Sequence, residues 1–165
     1  MKKQVKVKID AVELDGELVL PDRAKGLVVF AHGSGSSRLS PRNTYVAKVL
    51  NEAGVGTLLF DLLTQEEDQS YEQRFDISLL TRRLTGGTSW LREHPETQAM
   101  TLGYFGASTG AAAALRGAAE MGAAIKAVVS RGGRPDLAAP FLKRVLSPTL
   151  LIVGGLDGVV LHLNR

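Results

Sequence analysis

A serine between two glycines, in the pattern G-x-S-x-G, occupies residues 106–110. The apolar run Met100–Phe105 precedes this pattern and the alanine-rich run Ala111–Leu115 follows it, so the segment predicts a strand, a sharp turn and a helix. A serine on such a turn projects its hydroxyl beyond the sheet, and the N-terminus of the following helix favours negative charge nearby. Ser108 is therefore the candidate nucleophile, and the chain holds no cysteine that would compete for this role.

The segment His32–Ser37 follows the apolar run Gly26–Ala31 and is rich in glycine and serine. A loop at this place supplies one backbone N–H to an oxyanion hole, and the residue after the nucleophile supplies the other. We therefore expect the donors to be Thr109 and Ser34, with Gly35 as the alternative to Ser34. A phosphate-binding loop is the rival interpretation. However, the sequence holds no G-x-x-x-x-G-K-[ST], and the glycine pair of this loop lacks the third glycine of G-x-G-x-x-G.

Asp157 lies in the loop after the apolar run Thr149–Val153. The chain order of serine, acid and histidine places the acid of a catalytic triad in such a loop. The alternative is an ordinary turn aspartate in the pair Asp157-Gly158. Asp136 is the competing acid, but it follows Pro135 and is predicted to stabilise the start of a helix.

Two arginines, Arg131 and Arg134, follow the apolar run Ile125–Ser130. Guanidinium groups at the end of a strand are suited to hold an acidic group of a substrate. The alternative is that both are solvated loop side chains. Both arginines are candidate substrate-binding residues.

Short apolar runs separated by loops predict seven strands with helices between them. The predicted strands are Gln4–Ile9, Val12–Leu20, Gly26–Ala31, Val55–Phe60, Met100–Phe105, Ile125–Ser130 and Thr149–Val153. The predicted helices run from Ser40-Pro41 to Gly54, within Ser70–Glu93 with a break or weakening at Gly86-Gly87, from Ser108 to near Gly122, and from Pro135-Asp136 to near Leu146. This alternation predicts an α/β fold with a mostly parallel central sheet flanked by helices, in which the first two strands pair antiparallel.

The composition predicts one globular domain spanning residues 1–165, with 44% apolar and 22% charged residues. The absence of cysteine excludes disulfides and thiolate metal sites, and we predict no metal and no cofactor. No apolar run approaches the roughly 20 residues of a membrane span, and no signal peptide follows Lys2-Lys3. We therefore expect a cytoplasmic protein that does not engage a membrane.

The net charge of +3 is mild, and the lysines concentrate near the N-terminus, where they alternate with Val5, Val7 and Ile9. The alternation predicts a charged edge strand, which discourages pairing between sheets. A nucleic-acid patch would need interleaved aromatic residues, so no nucleic-acid partner is expected.

Five segments of the chain resemble the α/β-hydrolase fold and, within it, the dienelactone-hydrolase-like group. They are His32–Asn43, Phe60–Thr64, Gly103–Ala113, Ser130–Leu137 and Pro148–Asp157. The sequence looks closest to the hydrolase domains that occur alone or fused to phosphoribosyltransferases. The resemblance implies a serine hydrolase without a lid domain. It would act on a small ester or lactone through an acyl-enzyme at Ser108, with Asp157 as the acid.

The same resemblance implies a catalytic histidine about 20–30 residues beyond the acid. The chain ends at Arg165, eight residues after Asp157. Of the three histidines, His32 is expected to brace the oxyanion loop, His94 to lie on the opposite side of the sheet, and His162 to lie on a helix that leads away. We therefore expect the last strand and helix of the fold to be absent from this domain.

An absent last strand would leave Thr149–Val153 as an uncharged edge of the sheet. Such an edge favours pairing with another chain, so a homodimer through this strand is expected. The missing histidine supports a second functional hypothesis beside the hydrolase, namely a catalytically impaired remnant that binds a ligand or a partner.

Overall fold

Seven strands form one sheet in the computed structural model, which describes residues 1–165. The strands are β1 (Lys2–Ile9), β2 (Val12–Val19), β3 (Gly26–Ala31), β4 (Gly56–Phe60), β5 (Thr101–Ala107), β6 (Ile125–Arg131) and β7 (Thr149–Ile152). Their order across the sheet is β1-β2-β4-β3-β5-β6-β7. Every predicted strand is confirmed to within two residues at either end.

The directions of the strands determine at which edge of the sheet the candidate site lies. The strands β3 to β7 run parallel to one another, whereas β1 pairs antiparallel with β2, and β2 pairs antiparallel with β4. The carboxyl ends of the five parallel strands therefore meet at one edge of the sheet, which is where α/β proteins bind ligands. The predicted α/β fold with a mostly parallel central sheet is confirmed.

Helices cover both faces of the sheet. They are α1 (Pro41–Glu52), α2 (Tyr71–Arg74), α3 (Ile77–Glu93), α4 (Thr109–Met121) and α5 (Gly158–Leu163), with 3₁₀ helices at Glu67–Gln69, Gly122–Ala124 and Pro135–Arg144. Neighbouring residues of a strand face opposite sides, so Val29 and Tyr104 join the larger core with α3 and α4, whereas Phe30 and Phe105 pack in a smaller core with α1. Each large side chain buried in this way contributes about 1.5–3 kcal/mol.

The break predicted at Gly86-Gly87 is wrong, because α3 continues through both glycines. The interruption lies earlier, before Ile77, where the Asp76 carboxylate accepts a hydrogen bond from the Leu79 N–H at 2.9 Å and starts a new helix. The glycines instead allow α3 to approach the sheet closely. A Cβ on residue 86 would lie 2.5 Å from Ile9 Cγ2, and one on residue 87 would lie 2.7 Å from Phe60 Cζ.

The helix predicted from Pro135-Asp136 to near Leu146 is a 3₁₀ helix that ends at Arg144. Pro140 lies inside it and has no N–H to donate to an α-helical ladder. The tighter 3₁₀ winding is therefore the form that this segment adopts.

The two outer strands of the sheet differ in charge. The strand β1 buries Val7 and Ile9 and places lysines at its exposed positions, as predicted. The strand β7 lies at the opposite edge and carries four exposed, uncharged residues, Thr149 to Ile152. No helix of the chain combines the length and the apolar character needed to cross a bilayer.

Candidate active site

Ser108 lies on the turn between β5 and α4 and has φ 54° and ψ −123°. This is a left-handed conformation that non-glycine residues adopt at a cost of about 1–3 kcal/mol. Neighbouring backbone holds it in place. The Ser108 N–H donates to the Arg131 carbonyl at 3.3 Å, and its own carbonyl accepts from the N–H groups of Ala111 at 3.1 Å and Arg134 at 3.3 Å. The side chain is exposed, as a nucleophile requires.

The glycines on either side of Ser108 are required by close packing. A Cβ on Gly106 would lie 2.5 Å from the Cα of Ala111, and a Cβ on Gly110 would overlap the carbonyl oxygen of Ala31. The first turn of α4 therefore nearly touches both β5 and β3. This contact presses the turn into the strained form that exposes the serine.

A cavity of about 440 Å³ opens over Ser108 at the carboxyl edge of the sheet. Four of the predicted residues line it, namely Ser34, Ser108, Arg131 and Asp157. Thr109 is buried, and neither it nor Arg134 lines the cavity. The cavity lining also includes residues that the sequence patterns did not identify as candidates, among them Arg42 and Asn43.

The two predicted oxyanion donors differ in their availability. The Thr109 N–H is at the first residue of α4 and has no acceptor in the protein. The Ser34 N–H is not free, because it donates to Thr109 Oγ1 at 2.9 Å. An oxyanion would take the Ser34 N–H only after displacing this hydroxyl. The alternative donor, the Gly35 N–H, has no acceptor, but Gly35 does not line the cavity.

The bond between Ser34 and Thr109 belongs to a small network that the sequence pattern did not reveal. The two hydroxyls lie 2.8 Å apart, and Ser34 Oγ donates to the Arg74 carbonyl at 2.5 Å. The network joins the oxyanion loop to α4 and to α2. It therefore fixes the position of the loop relative to Ser108.

His32 braces the oxyanion loop, as predicted. Its Nδ1 lies 2.9 Å from the Gly33 carbonyl, and its Nε2 accepts a hydrogen bond from the Leu62 N–H at 3.0 Å. These contacts assign the proton to Nδ1. Burial lowers the pKa of His32, which favours this neutral form. Both ring nitrogens are in use, so the ring does not serve Ser108 as a base.

The other two histidines also lie away from Ser108. His94 stacks on Trp90 with ring centroids 3.9 Å apart, and its Nδ1 lies 2.6 Å from the Trp90 carbonyl. His162 is exposed on α5. Neither lines the cavity, so no imidazole stands beside the serine.

The two candidate acids have different partners. Asp157 lines the cavity and caps α5, where its Oδ1 accepts from the Val160 N–H at 3.1 Å. Asp136 lies in the first turn of the 3₁₀ helix, as predicted, and binds Arg134 through two hydrogen bonds of 2.9 and 2.7 Å. These hydrogen bonds hold the pKa of Asp136 below its usual value. Asp157 is thus the acid on the Ser108 side.

Arg134, predicted to bind substrate, does not line the cavity, and its guanidinium pairs with Asp136. Its contribution to the site is the backbone bond to the Ser108 carbonyl. Arg131 does line the cavity, and its Nη2 donates to Asn43 Oδ1 at 2.9 Å. The sequence held one signal that could have identified Asn43. Ser40-Pro41 predicts the start of a helix, and the first turn of that helix, α1, lines the cavity.

No group of three or more histidine, aspartate and glutamate side chains is arranged to hold a metal ion. The chemistry available to the described residues is that of a serine hydroxyl, a carboxylate, two guanidiniums and backbone N–H groups.

The fold and the site together define a class of protein. A mostly parallel sheet in this strand order, with a strained serine between β5 and α4, is the architecture of an α/β hydrolase, and no lid element lies over the cavity. No protein-family profile matches the sequence.

Comparison with solved structures names the family. The dienelactone hydrolase from Anabaena variabilis is 56% identical and superposes with a TM-score of 0.96 over 99% of this chain and 78% of that one. The chain belongs to the dienelactone hydrolase family, so the resemblance seen in the sequence is confirmed. The esterase Est1E from Butyrivibrio proteoclasticus has a TM-score of 0.79 over 94% of this chain and 79% of its own, at 15% identity, and shares the fold.

Two Mycobacterium tuberculosis proteins, provisionally named as phosphoribosyl transferases, are each 57% identical over 162 residues. These residues are 98% of this chain and 37% of each relative. The chain therefore spans little more than a third of the length of these curated relatives.

Proposed function

We propose that this chain acts as a serine hydrolase on a small ester or lactone, through an acyl-enzyme at Ser108. The observation that carries the proposal is the strained, exposed conformation of Ser108 on the floor of a cavity at the carboxyl edge of the sheet. Strain of this kind is kept where a function depends on it. Membership of the dienelactone hydrolase family supports the same reaction class.

In the proposed reaction, Ser108 Oγ attacks the ester carbonyl and loses its proton to a solvent water, which later protonates the leaving oxygen, because no side chain beside Ser108 takes the proton. The carbonyl oxygen becomes an alkoxide, which the Thr109 N–H stabilises, joined by the Ser34 N–H once Thr109 Oγ1 releases it. Each such donor contributes about 3–4 kcal/mol to the barrier reduction. Collapse expels the alcohol, or opens the lactone ring, and leaves an acyl group on Ser108. Water then hydrolyses this acyl group and regenerates the serine.

The general base is the one role that no residue beside Ser108 fills. Asp157 is placed to orient an imidazole, but the three histidines of the chain are engaged or remote. Serine hydrolases without their triad histidine lose about 10⁶ in turnover and keep roughly 10³–10⁴ over water. We therefore propose slow hydrolysis by these 165 residues.

A second candidate function is a binding module that uses the cavity without turnover. The missing imidazole beside Ser108 is the observation that favours it. Under either function, the proposed ligand is a small molecule and the proposed location is the cytoplasm.

Hydrolysis of an activated acetate ester separates the two functions. The chain should hydrolyse the ester above the buffer rate, and Ser108→Ala should return the rate to that of buffer. The matched control is Ser89→Ala, since Ser89 is an exposed serine on α3 with no side-chain hydrogen bond. Equal rates for the wild type and Ser108→Ala would contradict the hydrolase and leave the binding module.

A further inference from the structure

The hydroxyl of Thr109 occupies the Ser34 N–H, one of the two predicted donors of the oxyanion hole. This N–H donates to Thr109 Oγ1 at 2.9 Å. Its location suits an oxyanion donor, because Ser34 lines the cavity and the preceding Gly33 lies against the nucleophile. A Cβ on Gly33 would lie 3.2 Å from Ser108 Cβ and 3.8 Å from Ser108 Oγ. A backbone donor close to Ser108 is therefore paired with a side chain of the protein itself.

The directions of the hydrogen bonds around Thr109 follow from the groups that take part. The Arg74 carbonyl only accepts, so the single proton of the Ser34 hydroxyl points to Arg74. In the contact of 2.8 Å between the two hydroxyls, Thr109 is then the donor. Thr109 Oγ1 thus accepts from the Ser34 N–H and donates to Ser34 Oγ, and it holds Ser34 at two atoms.

We propose that Thr109 is a positioning residue whose hydroxyl keeps the Ser34 N–H occupied until the alkoxide forms, and so restrains hydrolysis at Ser108. The inference rests on the proposed function, because it concerns how the oxyanion hole of that same site opens. A negatively charged oxygen accepts a hydrogen bond about twice as strongly as a neutral hydroxyl, whereas a neutral ester carbonyl has no such advantage. The Ser34 N–H is therefore available to the transition state and withheld from the bound ester.

Release of the Ser34 N–H breaks only one hydrogen bond. Thr109 Oγ1 still donates to Ser34 Oγ, and the Ser34 hydroxyl still donates to Arg74, so neither hydroxyl becomes unpaired. The Thr109 N–H is unaffected, because it belongs to the backbone at the first residue of α4. The broken bond raises the barrier above that of an oxyanion hole in which both donors are free.

The first test is the variant Thr109→Val, which replaces the hydroxyl by a methyl group of similar size. We expect kcat/KM for an activated acetate ester to rise about 2- to 10-fold, the factor that corresponds to one neutral hydrogen bond. KM should fall, because the free Ser34 N–H then also binds the ester carbonyl. Urea denaturation should show a less stable protein, because the Ser34 N–H has lost its acceptor. A purely structural role of the hydroxyl would lower the rate and the stability together.

The variant Thr109→Ser keeps the hydroxyl and should return kcat/KM to that of the wild type. The matched control is Thr81→Val, since Thr81 is a buried threonine on α3 whose hydroxyl has no hydrogen-bond partner. It should leave kcat/KM unchanged and cost no stability. A folded Thr109→Val variant that is no faster than the wild type would overturn the restraint.

The second test uses the wild-type chain and does not depend on the folding of a variant. Ser108 is modified with a fluorophosphonate, and the Ser34 amide proton is observed by NMR with isotope-labelled serine before and after the reaction. We expect this proton to shift downfield, because the phosphonyl oxygen, a stronger acceptor than a hydroxyl, replaces Thr109 Oγ1.

The outcomes of the second test separate this inference from the proposed function. An unshifted Ser34 proton in the Ser108 adduct would overturn the inference and leave the proposed hydrolase intact. A shifted proton without Ser108-dependent ester hydrolysis would overturn the hydrolase and support the release of the Ser34 N–H to an oxygen on Ser108. Failure to modify Ser108 would overturn both.

Discussion

At the scale of single residues, the site depends on how closely α4 approaches the sheet. The turn that carries Ser108 is held by backbone bonds to Arg131, Ala111 and Arg134 and by the absence of side chains at Gly106 and Gly110. These contacts maintain a backbone strain of about 1–3 kcal/mol. A change that moves the turn therefore affects both stability and the exposure of the nucleophile.

The substitution Gly110→Ala tests this packing. The added methyl group would overlap the Ala31 carbonyl oxygen, so we expect the free energy of unfolding to fall by about 1–3 kcal/mol or more and ester hydrolysis to be lost. The control is Gly154→Ala, because no atom lies within 4 Å of the position of its Cβ. Urea denaturation and ester hydrolysis are the measurements. A Gly110→Ala variant as stable and active as Gly154→Ala would show that the close approach is not needed.

Some residues of the site were predictable from the sequence because their roles follow from local pattern. Ser108 was found from its flanking glycines and Asp157 from its place after an apolar strand, and both line the cavity. Arg42 and Asn43 were missed, because their places in the cavity depend on contacts between distant segments. Arg134 pairs with Asp136, which lies only two residues further along the chain. No sequence pattern distinguishes an arginine paired in this way from an unpaired arginine in a loop.

At the scale of elements, an ion pair joins the loop after β4 to α3. Arg83 donates to both carboxylate oxygens of Glu67, at 2.8 and 2.9 Å, and the two side chains are only 6% and 19% exposed. The hydrogen bonds from Arg83 hold the pKa of Glu67 below its ordinary value of 4.5. A carboxylate with a depressed pKa stabilises the folded chain above its unfolded pKa and loses this effect as the pH falls through the folded pKa.

The variant Glu67→Gln should therefore be less stable than the wild type at pH 7 by about 1.5–3 kcal/mol, the usual contribution of charged hydrogen bonds. The difference should shrink as the pH falls below 4.5, because protonation then makes the wild-type side chain as neutral as glutamine. Urea unfolding from pH 7 to pH 3 measures it. Glu72→Gln, at an exposed glutamate on α2 without an ion pair, should lose no stability. A difference that stays constant with pH would refute the ion-pair explanation.

The elements also show where sequence patterns mislead. The strands were predicted well because a strand buried on both faces appears as a short apolar run, whatever it packs against. The pair Gly86-Gly87 was interpreted by its low helix propensity. In the structure the two glycines allow close packing instead, because Ile9 and Phe60 occupy the space that side chains at positions 86 and 87 would need. Helix propensity is a local property, whereas this packing is set by strands far away in sequence.

At the scale of the whole molecule, one edge strand of the sheet is charged and the other is exposed and uncharged. The strand β1 carries lysines, whereas β7 exposes Leu150, Leu151 and Ile152 by 57%, 42% and 45% and carries no charge. Main-chain groups on the outer side of an edge strand are free to pair with another strand. We propose that two copies of this chain pair through β7.

Sedimentation velocity tests this association. The chain should sediment as a concentration-dependent dimer, and Leu151→Lys should make it a monomer, because a charge on an edge strand opposes pairing. The control is Val159→Lys, at a residue that is 74% exposed on α5, which should leave the dimer intact. A wild-type chain that is monomeric at every concentration would refute pairing through β7.

The central claim is that Ser108 is the nucleophile. The most direct measurement is to treat the chain with a fluorophosphonate, whose phosphorus forms a covalent bond with a nucleophilic serine hydroxyl, for a time long enough to label a serine without a base, and to map the adduct by mass spectrometry. Our account predicts one adduct, on the peptide that contains Ser108, and none on the Ser108→Ala variant. An adduct on another residue while Ser108 stays unmodified would contradict the assignment of the nucleophile and, with it, the proposed reaction.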